Sequence, residues 1–92
     1  MKVSFFKHTG SDPIVVEVLV SRNTPTVGTI KYDVCCRVAE SNSVKIVAKD
    51  VPFLENDIVH PTYNVCLKPG DELFGRVKNK ALTFEAKKII IT

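Results

Sequence analysis

Residues 29–38 constrain the fold more than any other part of the chain. Ile30, Tyr32, Val34, Cys36 and Val38 fall on one parity, and Thr29, Lys31, Asp33, Cys35 and Arg37 on the other. Successive side chains of a strand point to opposite faces of a sheet, so this alternation predicts a half-buried antiparallel strand. The segment after it, Ala-Glu-Ser-Asn-Ser, is turn-rich. Residues 44–49 then alternate again, with Val44, Ile46 and Ala48 expected inward and Lys45, Val47 and Lys49 outward. The two runs are expected to pair as a hairpin that sets Val38 opposite Val44, Arg37 opposite Lys45 and Asp33 opposite Lys49.

The rest of the chain repeats this pattern. In residues 14–22, Ile14, Val16, Val18 and Val20 share one face, while Val15 and Leu19 flank Glu17 on the other, as in a strand covered on both sides. Residues 2–7 predict a shorter strand, and residues 63–67 one with Tyr63, Val65 and Leu67 inward. Lys-Pro-Gly-Asp at 68–71 is a turn. Residues 73–84, LFGRVKNKALTF, read as two strands and a tight turn. The last strand, 82–91, changes phase at Lys87 and Lys88, which implies a bulge or a protruding end. All five prolines are expected between strands, because proline cannot donate to the ladder. A single helical turn is considered only within 51–60. Six or seven short strands in 92 residues make one all-β domain, 1–92. A small OB-like antiparallel barrel is expected, with a seven-stranded sandwich as the alternative.

The net charge of +3 is below that of a dedicated duplex-DNA binder, but the charges are unevenly placed. Residues 74–92 hold five bases (Arg76, Lys78, Lys80, Lys87, Lys88) and one acid, Glu85, whereas residues 50–58 hold three acids and no base. A dipolar surface of this kind orients charged partners. Cys35, Cys36 and Cys66 lack the spacing of a disulfide framework, which points to a reducing, cytoplasmic setting. No apolar run is long enough to span a membrane as a helix, and the N-terminal residues lack the apolar core of a signal peptide.

Little in the chain suggests an enzyme. Cys66 and His60 would form a nucleophile pair only if the fold joined them, and no acid is placed to orient the imidazole. No metal-ligand spacing or phosphate-cradling glycine loop is present, so no metal or cofactor is expected. The outward cations remain. Lys31, Arg37, Lys45, Lys49, Arg76, Lys78 and Lys80 are the candidate phosphate contacts, and Arg37 against Lys45 would be a like-charge pair kept for an anionic partner.

Phe74 lies among these cations on the parity of Arg76 and Lys78. An exposed ring there would stack on bases, whereas a bulge at Gly75 would bury it. Phe5 and Phe6 pose the same question, since adjacent residues of a regular strand face opposite ways, and a subunit interface is an alternative use for either.

Residues 67–77, LKPGDELFGRV, followed by Leu-Thr-Phe-Glu-Ala at 82–86, resemble the last hairpin of OB-fold single-stranded DNA-binding proteins, with the small phage-encoded members the nearer comparison. The resemblance implies binding of single strands along strand faces by a homodimer or larger assembly, DNA ahead of RNA, inside the host cell if viral. The expected function is therefore sequence-tolerant binding of single-stranded nucleic acid. The alternative is a non-enzymatic interaction or assembly module, such as a virion component or an inhibitor of a host protein.

Overall fold

The structure, a computed structural model, describes residues 1–22, 28–54, 61–78 and 82–89. Its elements are seven strands: β1 (Lys2–Lys7), β2 (Ile14–Arg22), β3 (Ile30–Val38), β4 (Ser43–Phe53), β5 (Thr62–Leu67), β6 (Glu72–Val77) and β7 (Leu82–Ile89). They form two antiparallel sheets, a larger one in the order β1-β6-β3-β4 and a smaller one in the order β5-β2-β7. The chain is all-β, as its periodicity predicts. Of the two arrangements considered, the two-sheet one describes the pairing, and neither sheet closes on itself.

The inward parities of the two sheets build one core. The smaller sheet contributes Val16, Val18, Val20, Val65, Leu67, Leu82 and Phe84, and the larger one Tyr32, Val34, Cys36, Phe53, Leu73 and Val77. The Tyr32 hydroxyl meets the Tyr63 hydroxyl at 2.6 Å, a polar link between the sheets. β2 is central in its sheet, and its register with β7 is continuous from Val15 opposite Ile89 to Arg22 opposite Leu82. The phase change at Lys87 and Lys88 is therefore an exposed strand end, not a bulge.

Two buried polar side chains fasten described loops. Asp71 is buried, and its two carboxylate oxygens accept the backbone N–H groups of Ala39 (3.0 Å) and Lys68 (2.9 Å). It thereby fastens the turn before β6 to the end of β3. The buried His8 accepts from the Gly10 N–H through Nδ1, and its Nε2 pairs with the Asp12 carbonyl, which shapes the link from β1 to β2.

Three expectations are corrected. Pro52 lies inside β4, opposite Lys31; β4 is an edge strand, where proline is tolerated. Residues 51–53 are strand rather than helix, and 55–60 fall outside the described residues. Phe5 and Phe6 both pack against the core, because the register of β1 on β6 shifts between Ser4 and Phe6 and relaxes strict alternation.

The hairpin register is the largest departure. Val38 pairs with Ser43, Arg37 with Val44, Cys36 with Lys45 and Cys35 with Ile46. This is one residue away from the pairing expected. Asn42 adopts a left-handed φ of 53°, so the turn closes on Ser43 instead of Val44. A one-residue slip moves every side chain to the other face. Val44 and Ile46 therefore point outward, while Lys45 takes the core side yet stays exposed. Two register shifts then restore inward packing. One inserts Val47 between Cys35–Ile46 and Val34–Ala48; the other sets Lys49 and Asp50 against Asp33, with Asp50 at φ 52° and its N–H donating to Asp33 Oδ1 at 2.7 Å.

Candidate functional site

The outer face of the larger sheet carries most of the polar and charged residues singled out in the sequence. Parity along β6 is regular there. Leu73 and Val77 join the core, and a Cβ built on Gly75 would point into the Phe84 ring. Phe74 and Arg76 therefore lie outward, without the bulge at Gly75. Phe74 is nevertheless only 1% exposed. Its neighbours across the strands are Ser4 and Cys35. Lys2 Nζ lies 4.5 Å above the ring centroid, and the Arg76 guanidinium carbon lies 5.3 Å from it. Each such cation–ring contact contributes about 0.5–2 kcal/mol, more as it is desolvated. The ring is thus roofed by cations on the outer face and leaves no open surface for a base. Sequence reasoning missed Lys2, whose contact with Phe74 depends on β1 pairing with β6.

Cross-strand partners arrange this face in three rows. Lys2, Arg76 and Asp33 form one, and Lys7, Glu72, Arg37 and Val44 another. Between them runs Ser4, Phe74, Cys35 and Ile46. This middle row is closed where Phe74 and Cys35 are buried and open at Ile46, which is 50% exposed on the edge strand. Burial raises the Cys35 thiol above its ordinary 9.0, with Arg76 opposing and Asp33 adding. Burial also raises Cys36 on the core side, with Asp71 adding, so neither is a ready nucleophile.

The predicted cations do not make one patch. Lys31, Arg76 and Lys78 line a groove of about 590 Å³ together with Asp33 and Asp50. Arg37 stands opposite Val44, two rows from this groove, and Lys45 is on the other face. The like-charge pairing of Arg37 with Lys45 does not form, because of the shifted register. Lys49 is exposed in the second irregularity of β4, and Lys80 lies outside the described residues. His60 also lies outside them, while Cys66 is exposed on β5. Among the described residues, no three His, Cys, Asp or Glu side chains converge as a metal site.

The free edge of β4 was not anticipated as a site. The large hydrophobic residues exposed among the described ones are Met1, Val44, Ile46 and Leu54. Two of the four stand at i and i+2 on the first half of β4. An edge strand offers unpaired N–H and C=O groups, and natural edges are blunted by shortness, charge, proline or bulges. β1 is short, irregular at Phe5 and ends in Lys2 and Lys7. β7 presents Glu85, Lys87 and Lys88. The second half of β4 has Lys49, the Asp50 irregularity and Pro52. Its first half, Ser43 to Ile46, carries one charge, Lys45, between two exposed β-branched side chains and ends at the inserted Val47. Asn42, a residue type that tolerates a left-handed φ, is a sequence signal that could have revealed the shifted register.

The fold and this surface define an open, two-sheet antiparallel β domain whose edge strand β4 exposes two large apolar side chains, Val44 and Ile46. No protein-family model matches the chain, and no curated protein or solved structure matches it.

Proposed function

We propose that this chain is a non-enzymatic interaction module that joins a protein assembly through the free edge of β4. One observation carries the reading: Val44 and Ile46, at 44% and 50% exposure, lie side by side on an edge strand. Recognition there is strand addition, in which main-chain hydrogen bonds supply affinity and alternate side chains supply specificity. An assembled state of the chain in its native cell should be lost on Ile46→Lys with no change in melting temperature, because the side chain it replaces is exposed. An assembly that survives Ile46→Lys refutes this reading.

A second reading is sequence-tolerant binding of single-stranded nucleic acid, DNA ahead of RNA. It is favoured by the groove in which Lys31, Arg76 and Lys78 converge, and by the resemblance of residues 67–77 to the last hairpin of OB-fold single-strand binders. It has phosphate contacts but no stacking by Phe74 as that ring sits. Fluorescence anisotropy of a labelled oligonucleotide tests it. Binding should fall steeply with salt as counterions are released, and a flat titration at low salt removes this reading.

A further inference from the structure

We infer that the partner strand on β4 is the β4 strand of a second copy, paired antiparallel about a two-fold axis through Lys45. The inference rests on the interaction reading above and names its partner.

The pattern of the strand is complementary to itself. In an antiparallel pair related by a two-fold axis, residues directly opposite share a face of the sheet. Centring on Lys45 sets Val44 opposite Ile46 twice, so both exposed side chains of each copy meet an apolar partner. It also sets Ser43 opposite Val47. The faces agree throughout: Val44 and Ile46 are on the outer side, opposite Arg37 and Cys35, while Ser43, Lys45 and Val47 are on the core side. Centring on Ile46 or Val47 fails this test. Each places an outward residue (Val44 or Ile46) opposite Ala48, which packs inward beyond the inserted Val47. Centring on Val44 leaves Ile46 opposite Asn42 in the turn, so of these centres Lys45 alone gives both apolar side chains an apolar partner, in a regular ladder that ends at the inserted Val47. This register joins the two larger sheets and seals the open end of the row Phe74, Cys35 and Ile46 in each copy.

The same register sets Lys45 against Lys45 of the second copy on the core side, where both are exposed. Like charges directly opposite each other oppose pairing. The ladder is also short compared with an interface of about 1,200–2,000 Å², so the dimer is weak and forms at high concentration. The lysine pair gives it a signature that a nucleic-acid complex has with the opposite sign: salt screens the repulsion and tightens the dimer.

Sedimentation velocity of the purified chain across concentration and sodium chloride is the test. A monomer–dimer equilibrium that strengthens with salt is expected. Lys45→Thr should tighten it about 1.4- to 5-fold, the factor that relieving about 0.2–1 kcal/mol of cross-strand repulsion gives. Wild type mixed with Lys45→Glu should form a heterodimer tighter than either homodimer. Val44→Lys should be monomeric with an unchanged melting temperature. A chain that is monomeric at every concentration, a dimer indifferent to Val44→Lys, or a mixture of wild type with Lys45→Glu that pairs no tighter than the homodimers, overturns the inference. If the pure chain is monomeric but Ile46→Lys still disrupts its native assembly, the second copy is wrong and the interaction reading stands. If both assays are negative, both fall.

Discussion

Gly75→Ala should destabilise the protein far more than a glycine-to-alanine change in a strand usually does. Gly75 is buried between Val3 of β1 and Val34 of β3, and its missing side chain makes room for a ring from the other sheet. A Cβ there would lie 2.5, 2.6 and 2.8 Å from three carbons of Phe84, where ordinary contact begins near 3.4 Å. Phe84 must then retreat by roughly 1 Å. It has nowhere to go: it stacks on Phe5 at 5.6 Å and meets Tyr32 edge-on at 6.0 Å, and it is 5% exposed. Overpacking of this kind costs about 1–3 kcal/mol. Loss of unfolded-state entropy in the alanine variant offsets about 0.4–1 kcal/mol. The difference spans about 0–2.6 kcal/mol, and because Phe84 is hemmed in on two sides the upper half of that range applies, about 1.3–2.6 kcal/mol, which should lower the melting temperature by roughly 5–20 °C in a domain of this size. Thermal unfolding followed by circular dichroism reads it. The companion is Gly75→Ala combined with Phe84→Leu, in which the smaller side chain relieves the clash, so the two losses should add to less than their sum. An unchanged or raised melting temperature for Gly75→Ala would mean that Phe84 does not sit over Gly75, and the packing of the two sheets described above would be wrong.

Three other outcomes follow from the same structure. Phe74→Ala should cost about 3–5 kcal/mol, seen as a lower denaturation midpoint, because the ring is buried under Lys2 and Arg76 although it lies outside the main core; a variant as stable as wild type would restore Phe74 as an exposed stacking residue. Asp71→Ala strands the N–H groups of Ala39 and Lys68 and should cost about 1–3 kcal/mol for each that stays buried, with faster amide exchange at those two positions as the local readout. A thiol reagent should label one cysteine, Cys66, in the native protein and all three in denaturant. Because burial raises the Cys35 and Cys36 thiols, the folded state holds protons that the unfolded chain gives up. Their contribution to stability is complete below pH 9.0, the ordinary value, and declines as pH rises above it, measurable as a falling denaturation midpoint.

Much of the fold was legible in the chain because parity along a strand is a local property. Val16, Val18 and Val20, Tyr32 and Val34, and Val65 and Leu67 all reach the core side that their alternation assigns. Phe74 and Arg76 also keep the outward parity read from the sequence. The site was less legible. Lys31, Arg76 and Lys78 come together in one groove, but Arg37 and Lys45 do not join them, and Val44 and Ile46 were assigned to the wrong face.

Residue order alone dictated that this chain is all-β, which strands it has within a few residues, and which face of most of them is apolar, since each follows from neighbours at i and i+2. Pairing decided the remainder. The turn at Asn42 and the two irregularities of β4 set a register that differs by one residue from the one alternation suggests, and a strand slipped by one residue exchanges its faces completely. Whether an outward residue meets water is likewise settled by its neighbours across the sheet. Phe74 is covered because β1 brings Lys2 beside it, whereas Ile46, in the same cross-strand row, is open because no described strand pairs with the outer edge of β4.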